Sequence, residues 1–103
     1  MDLDILTEHV HLRPEWRCAI EEWVSRCVRC HPDVHDIEVT LRHVDRHAGE
    51  EVDAVATAHR RRLRAATHAA LMGTALEEAL AALERELAAD EVSWGRHRLR
   101  STA

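Results

Sequence analysis

Lysine, asparagine, glutamine, phenylalanine and tyrosine are all missing from the 103 residues, so every one of the fourteen basic side chains is an arginine. Any recognition of phosphate or nucleic acid therefore falls to guanidinium groups, which pair with phosphate in a fixed fork geometry. Cysteine is scarce and odd in number, at three, and nothing else in the chain looks secretory, so reduced thiols are expected rather than a disulfide framework. Two prolines and three glycines leave no linker-like stretch, and no internal repeat is visible. No apolar run approaches the roughly 20 residues of a membrane span, and Met1-Asp2-Leu3-Asp4 is unlike the basic start of a signal peptide. A cytoplasmic protein with no membrane partner is the expectation.

What remains is 46% hydrophobic and 32% charged, with a formal charge of -5, enough for one compact domain and too little for two. The charge is unevenly spread. Residues 69 to 92 carry Glu77, Glu78, Glu84, Glu86, Asp90 and Glu91 against Arg85 alone, whereas the last eleven residues hold Arg96, Arg98 and Arg100 without an acid. The stripe of helical spacing stops near Ser93, which divides the chain into a domain over 1–92 and a basic, flexible tail over 93–103.

Periodicity predicts the elements. Leu3 and Ile5, with Val10 and Leu12 beyond them, alternate with polar residues as in a first strand ending before Pro14. From Pro14 the period changes to that of a helix. Trp16, Ile20, Trp23, Cys27 and Cys30 form its stripe, and Pro32 stops it near Cys30. Ile37, Val39 and Leu41 mark a half-buried strand. Val52 to Ala58 and Leu63 to Ala69 alternate as two more, joined at Arg60 to Arg62, although the alanines there also suit a helix. Thr74 and Glu77 read as a capping box ahead of a second helix striped by Leu76, Leu80, Leu83 and Leu87. The order is β-α-β-β-β-α. This is an α+β two-layer sandwich, a four-stranded sheet with two helices on one face.

Several constellations bear on chemistry. Cys27-Val28-Arg29-Cys30-His31 has the C-x-x-C-H spacing of covalent haem attachment. Against it stands a simpler reading, in which the cysteines fill the buried stripe of the first helix and His31 merely precedes a terminating proline. The nine histidines offer zinc ligands, for instance His9 and His11 with His35 or Cys30, but no second close pair answers Cys27, Cys30 and His31. His43, His47, His59, His68 and His97 read as scattered surface residues. No cofactor and no metal are expected.

Nor does the chain carry a nucleophile elbow, a phosphate loop or a paired-carboxylate signature, and Glu21–Glu22 and Glu77–Glu78 fall on wet helix faces. The expectation is not an enzyme. The strongest basic run is Arg60-Arg61-Arg62 with Arg64, and Trp94-Gly95-Arg96-His97-Arg98 sets an aromatic among cations as single-strand binders do. The plainer readings are a solvated hairpin turn that discourages edge pairing, and a frayed end.

Taken in order, Leu3-Asp4-Ile5 with Val10-His11-Leu12, the series Arg17, Ile20, Arg26, Cys27 and Arg29 before Cys30-His31-Pro32, Ile37 to Arg42, and Ala75 to Leu87 resemble the ribosome hibernation-promoting factor family, in its short form. The likeness covers most of residues 2–88. It implies a cytoplasmic translation inhibitor that binds the small ribosomal subunit, or the 70S ribosome, at the decoding site and blocks translation under stress. The contacts it implies are arginine to rRNA, by Arg17, Arg26 and Arg29 on the first helix, Arg42 on the second strand and Arg85 on the last helix. The chain departs from the family where Leu71 and Gly73 replace an acidic and an aromatic residue, and where Ala82, Ala88, Ala89, Asp90 and Glu91 stand in a normally lysine-rich turn. The long form's additional dimerisation domain is not expected here, and neither is self-sufficient pairing of ribosomes. The competing reading keeps the fold and uses it as a protein-interaction or homodimerisation module.

Overall fold

A computed structural model describes residues 1–44 and 49–102, with side chains described for 1–44 and 49–95. The elements are β1 (Asp2–Glu8), α1 (Pro14–Cys30), β2 (Val34–Val44), β3 (Gly49–Ala58), β4 (Arg61–Ala69) and α2 (Met72–Thr102). The expected order is the observed one.

The sheet runs β1-β2-β3-β4, with β1 parallel to β2 and the remaining neighbours antiparallel. A parallel pair needs a crossover, and α1 supplies it. Register places Leu3 beside Ile37 and Ile5 beside Val39, then Val39 beside Ala54 and Ala54 beside Ala65, so one sheet face is apolar. Both helices cover that face. Ile20, Trp23 and Cys27 of α1 and Leu76, Leu80, Leu83 and Leu87 of α2 close the core over Ile37, Val39, Leu41 and Val52. The alanines of β3 and β4 are strand residues after all. Ala54 and Ala56 are fully buried, and their small side chains let α2 lie close to the sheet, which overrides their helical preference.

Details differ from the pattern-based reading in ways that have local causes. The β3–β4 connection is tighter than expected, a two-residue turn at His59 and Arg60 with φ of 52° and 64°. Positive φ at both positions matches the twist of a hairpin and is uncommon for residues other than glycine. The amide of Ala75 donates to the carbonyl of Leu71 at 3.1 Å, so α2 begins ahead of Thr74, which lies inside the first turn and not at the cap. Gly49 opens β3 because a Cβ there would sit 2.5 Å from Nε2 of His68. The backbone of α2 stays helical past Ser93 to Thr102. Residues 45–48, which include the His47 expected at the surface, lie outside the described residues, as do the side chains of Arg96, His97, Arg98 and Arg100. Among the described residues no helix is long and apolar enough to cross a membrane.

Candidate nucleic-acid interface

The arginines separate into those that have acidic partners and those that do not. Arg42 projects from β2 onto the open face of the sheet, its Nε donating to Glu8 at 2.6 Å and its Nη1 to Glu51 at 3.3 Å. The pairing lowers the Glu8 pKa and raises that of the guanidinium. Arg64 on the same face donates to Asp53 at 2.9 Å. Arg17 lies 3.9 Å from Glu21 one turn along α1, and Arg13 pairs with Glu15 while its guanidinium stacks over Trp16, 5.2 Å from the ring centroid. By contrast Arg26, Arg29, Arg60, Arg62 and Arg85 make no ion pair or hydrogen bond among the described residues.

The five sequence-predicted residues do not converge. Nine residues separate Arg17 from Arg26, roughly half a turn of phase at 3.6 residues per turn, so they flank α1 on opposite sides. Arg26 borders a cleft of about 510 Å³ between the helices, where Glu22, Glu77 and Glu84 also line the wall beside Trp23 and Leu80. Arg29 and Arg85 are exposed on the outer surface of the helix layer, and Arg42 is on the other side of the sheet. Acids thus dilute the predicted cluster.

Two arrangements that the sequence did not announce lie where α1, β2, the β3–β4 turn and α2 meet. The side chain of His31, 6% exposed, directs Nδ1 at Oε1 of Glu91 (2.8 Å) and Nε2 at Oε1 of Glu84 (2.7 Å). An imidazole with a carboxylate oxygen on each nitrogen donates from both, which only the cation can do. Burial opposes that charge, but the two hydrogen bonds outweigh it and the His31 pKa is raised. The side chain of His59, 7% exposed, places Nδ1 2.9 Å from Oδ2 of Asp90 and Nε2 3.1 Å from Oδ2 of Asp33. The first is an aligned hydrogen bond; the second is an ion-pair contact off the hydrogen-bond line, leaving Nε2 otherwise without a partner. The Asp90 bond raises the His59 pKa against burial, and Asp33 adds to it. Arg61 takes the second oxygen of Asp90 at 2.9 Å, and Trp94 stacks on the His59 ring at 4.7 Å between centroids.

His59 is therefore not the surface histidine it was expected to be. One signal was present in the sequence: Asp90 continues the stripe of Leu83 and Leu87, and an acid on an apolar stripe needs a partner. The C-x-x-C-H segment is also divided by the fold. Cys27 is buried in the core, where burial and then the acids Glu84 and Glu91 push its thiol up to about 11, whereas Cys30 is exposed and His31 is occupied as above. A thiol so shifted is protonated and inert near neutrality. Among the described residues no group of three or more His, Cys, Asp or Glu side chains is placed to hold a metal ion.

A second depression of about 870 Å³ opens at the opposite end, between the starts of the two helices, walled by Val10, Trp16, Leu71, Met72, Leu76 and Leu80. Leu71, 69% exposed, stands at its rim.

Comparison with solved structures returns the same architecture. A ribosomal subunit interface protein from Coxiella burnetii superimposes with a TM-score of 0.79 over 89% of this chain and 99% of that one, at 17% identity. The chain has that fold. The N-terminal domain of Protein Y from Thermus thermophilus matches with a TM-score of 0.71 over 84% of this chain and 96% of its own, at 16% identity. No protein-family model matches the chain, and no curated protein matches it in sequence. At such identities the likeness is one of fold, carried by the position of the strands and the two helices and not by shared side chains. The match covers nearly the whole of each neighbour and most of this chain.

Proposed function

We propose that the protein associates with the ribosome and restrains translation as a non-enzymatic factor, occupying the small subunit at the decoding site. The observation that carries this reading is the near-complete structural match to a ribosomal subunit interface protein, which reproduces the element order and the two-helix layer. Arg26, Arg29 and Arg85 are the carried-over arginines best suited to rRNA, because they are unpaired on the helix layer. Arg17 and Arg42 are already compensated by acids and contribute after those pairs open. Binding of this kind works by steric occlusion, held by guanidinium contacts to phosphates and 2′-hydroxyls.

Sedimentation with 30S and 70S ribosomes through a sucrose gradient at two salt concentrations tests the reading, alongside an Arg26→Glu/Arg29→Glu variant. Salt-sensitive co-sedimentation of the wild type that is lost in the variant supports it; a wild type that stays at the top of the gradient at low salt ends it.

A second reading is favoured by one observation, the acids Glu22, Glu77 and Glu84 beside Arg26 in the interhelical cleft. They suit a protein-interaction module, with a second copy or a basic protein as partner, and pull-down from a lysate cleared of ribosomes by ultracentrifugation separates the two.

A further inference from the structure

The acids of α2 stand out as the main obstacle to polyanion binding, yet the fold uses most of those near its distal half internally. Glu84 and Glu91 face His31, Asp90 faces His59 and Arg61, and Asp33, in the turn between α1 and β2, faces His59. All four carboxylates lie at the end of the molecule that carries the β3–β4 turn, since β2 begins beside Ala58 and α1 ends at Cys30. The side chains of His31, His59 and Arg61 are set against them. At that end Arg60 at the tip of the turn and Arg62 at the start of β4, both exposed, have no acidic partner among the described residues, nor has Arg29 in the last turn of α1.

The turn itself favours presentation. Arg60 is held at φ 64°, the second of two consecutive positive-φ residues, so its side chain projects from a tight, two-residue turn. The ring of His59 beneath it is fixed from three sides, by Asp90, Asp33 and the stacked Trp94. Arg62 pairs across the sheet with Thr57, and the nearest acids in that row, Asp36 and then Asp2, are two and three strands away. At ~4.8 Å per strand Asp36 is about 10 Å off, near a Debye length at physiological salt.

We propose that the β3–β4 turn end is a phosphate-backbone docking surface, presented by Arg60 and Arg62 and enabled by the protons that His31 and His59 hold against the acids around them. It rests on the ribosome reading for which nucleic acid is bound, and stands on its own for the surface. Loss of the two protons leaves Asp33, Glu84, Asp90 and Glu91 facing Arg61 alone. The other groups near His31 are Cys27 and Cys30 of α1, and near His59 the exposed Arg60; none of them offsets that change. Single-stranded RNA binding therefore weakens as the pH rises through the two raised histidine values.

The test uses the full chain and a fluorescein-labelled single-stranded RNA of about 20 nucleotides, followed by anisotropy at about pH 6 and about pH 8.5. The wild type is expected to bind roughly tenfold more weakly at the higher pH, and Arg60→Ser/Arg62→Ser roughly tenfold more weakly than the wild type at the lower one. Arg13→Ser, which removes a charge at the far end, is expected to bind as the wild type does. His31→Gln/His59→Gln is expected to lose the pH dependence, which separates these two from the other seven histidines. Where that variant fails to fold, the ring nitrogen shifts of the wild type by NMR decide: both histidines doubly protonated at neutral pH support the arrangement. Unchanged RNA binding by Arg60→Ser/Arg62→Ser overturns the surface, and pH-independent binding by the wild type, or neutral rings, overturns the gating. Wild-type sedimentation with ribosomes that survives Arg60→Ser/Arg62→Ser sinks this surface while leaving the ribosome reading intact; oligonucleotide binding without sedimentation does the reverse.

Discussion

Arg42 and Arg62 stand on the same open face of one sheet, and their surroundings have opposite consequences. Arg42 sits between Glu8 and Glu51, so its charge is spent within the protein. Arg62 faces Thr57 across the strand pair and has no partner among the described residues. The difference arises from register: Arg42 stands opposite Glu8 of β1 and Glu51 of β3, whereas Arg62 stands opposite Thr57, although Arg64 on the same edge strand reaches Asp53. The same contrast holds between the ends of the molecule. One end has an apolar depression with Leu71 at its rim, and the other has two buried histidines bonded to carboxylates, with Arg61 on Asp90. In a chain with a net negative charge, binding of a polyanion depends on such local compensation more than on the total.

Four measurements sharpen or break that contrast. The largest effect is expected in the common core. Leu87→Ala removes a side chain 1% exposed from the stripe that docks α2, and urea denaturation should show a loss of about 2–5 kcal/mol. A loss well under that range would mean that the histidine clusters, and not the apolar stripe, hold the distal half of α2. Next, Asp90→Asn leaves His59 and Arg61 without their shared carboxylate and should cost roughly 1–3 kcal/mol by the same measurement. Hydrogen exchange should speed up in the last turns of α2 in that variant and stay unchanged in its first turns.

The third concerns pH. Both clusters raise the histidine pKa, so each contributes stability that is complete below the unfolded-state value of about 6.5 and is lost as the pH rises through the folded-state values. The melting temperature of the wild type should therefore fall from about pH 6.5 upward by more than that of His31→Gln/His59→Gln. Parallel curves for the two proteins would show that the imidazoles carry no proton in the folded state. The smallest effect is expected at the open face. Glu8→Gln removes one partner of an exposed pair and should leave the melting temperature unchanged, because exposed ion pairs contribute little. It should still tighten RNA binding at low salt by freeing Arg42, and no change there would mean that Glu51 alone is enough to compensate it.

Much of the architecture was legible because the two periods are distinct. The stripe of Trp16, Ile20, Trp23 and Cys27 and the alternation of Ile37, Val39 and Leu41 each allow one element type, and the observed bounds follow them closely. The alanine-rich strands were harder, since Ala54, Ala56 and Ala65 have no side chain large enough to declare a face. The candidate site was legible by composition only. Arg17, Arg26 and Arg29 could be assigned to a helix from the sequence, but which of them keeps a free charge depends on neighbours such as Glu21, one turn away, and Glu22, Glu77 and Glu84 across a cleft. His31 and His59 gave almost no signal, because their partners are 53, 60, 26 and 31 residues distant along the chain.

By itself the sequence determined the order of elements, the apolar faces that bind them together and the restriction of all basic chemistry to arginine, since these follow from local spacing and composition. Only the tertiary structure decided which charges remain available. An ion pair forms where strand register and helix packing bring two side chains within about 4 Å, and in this fold that distance is set by contacts between residues far apart in the chain.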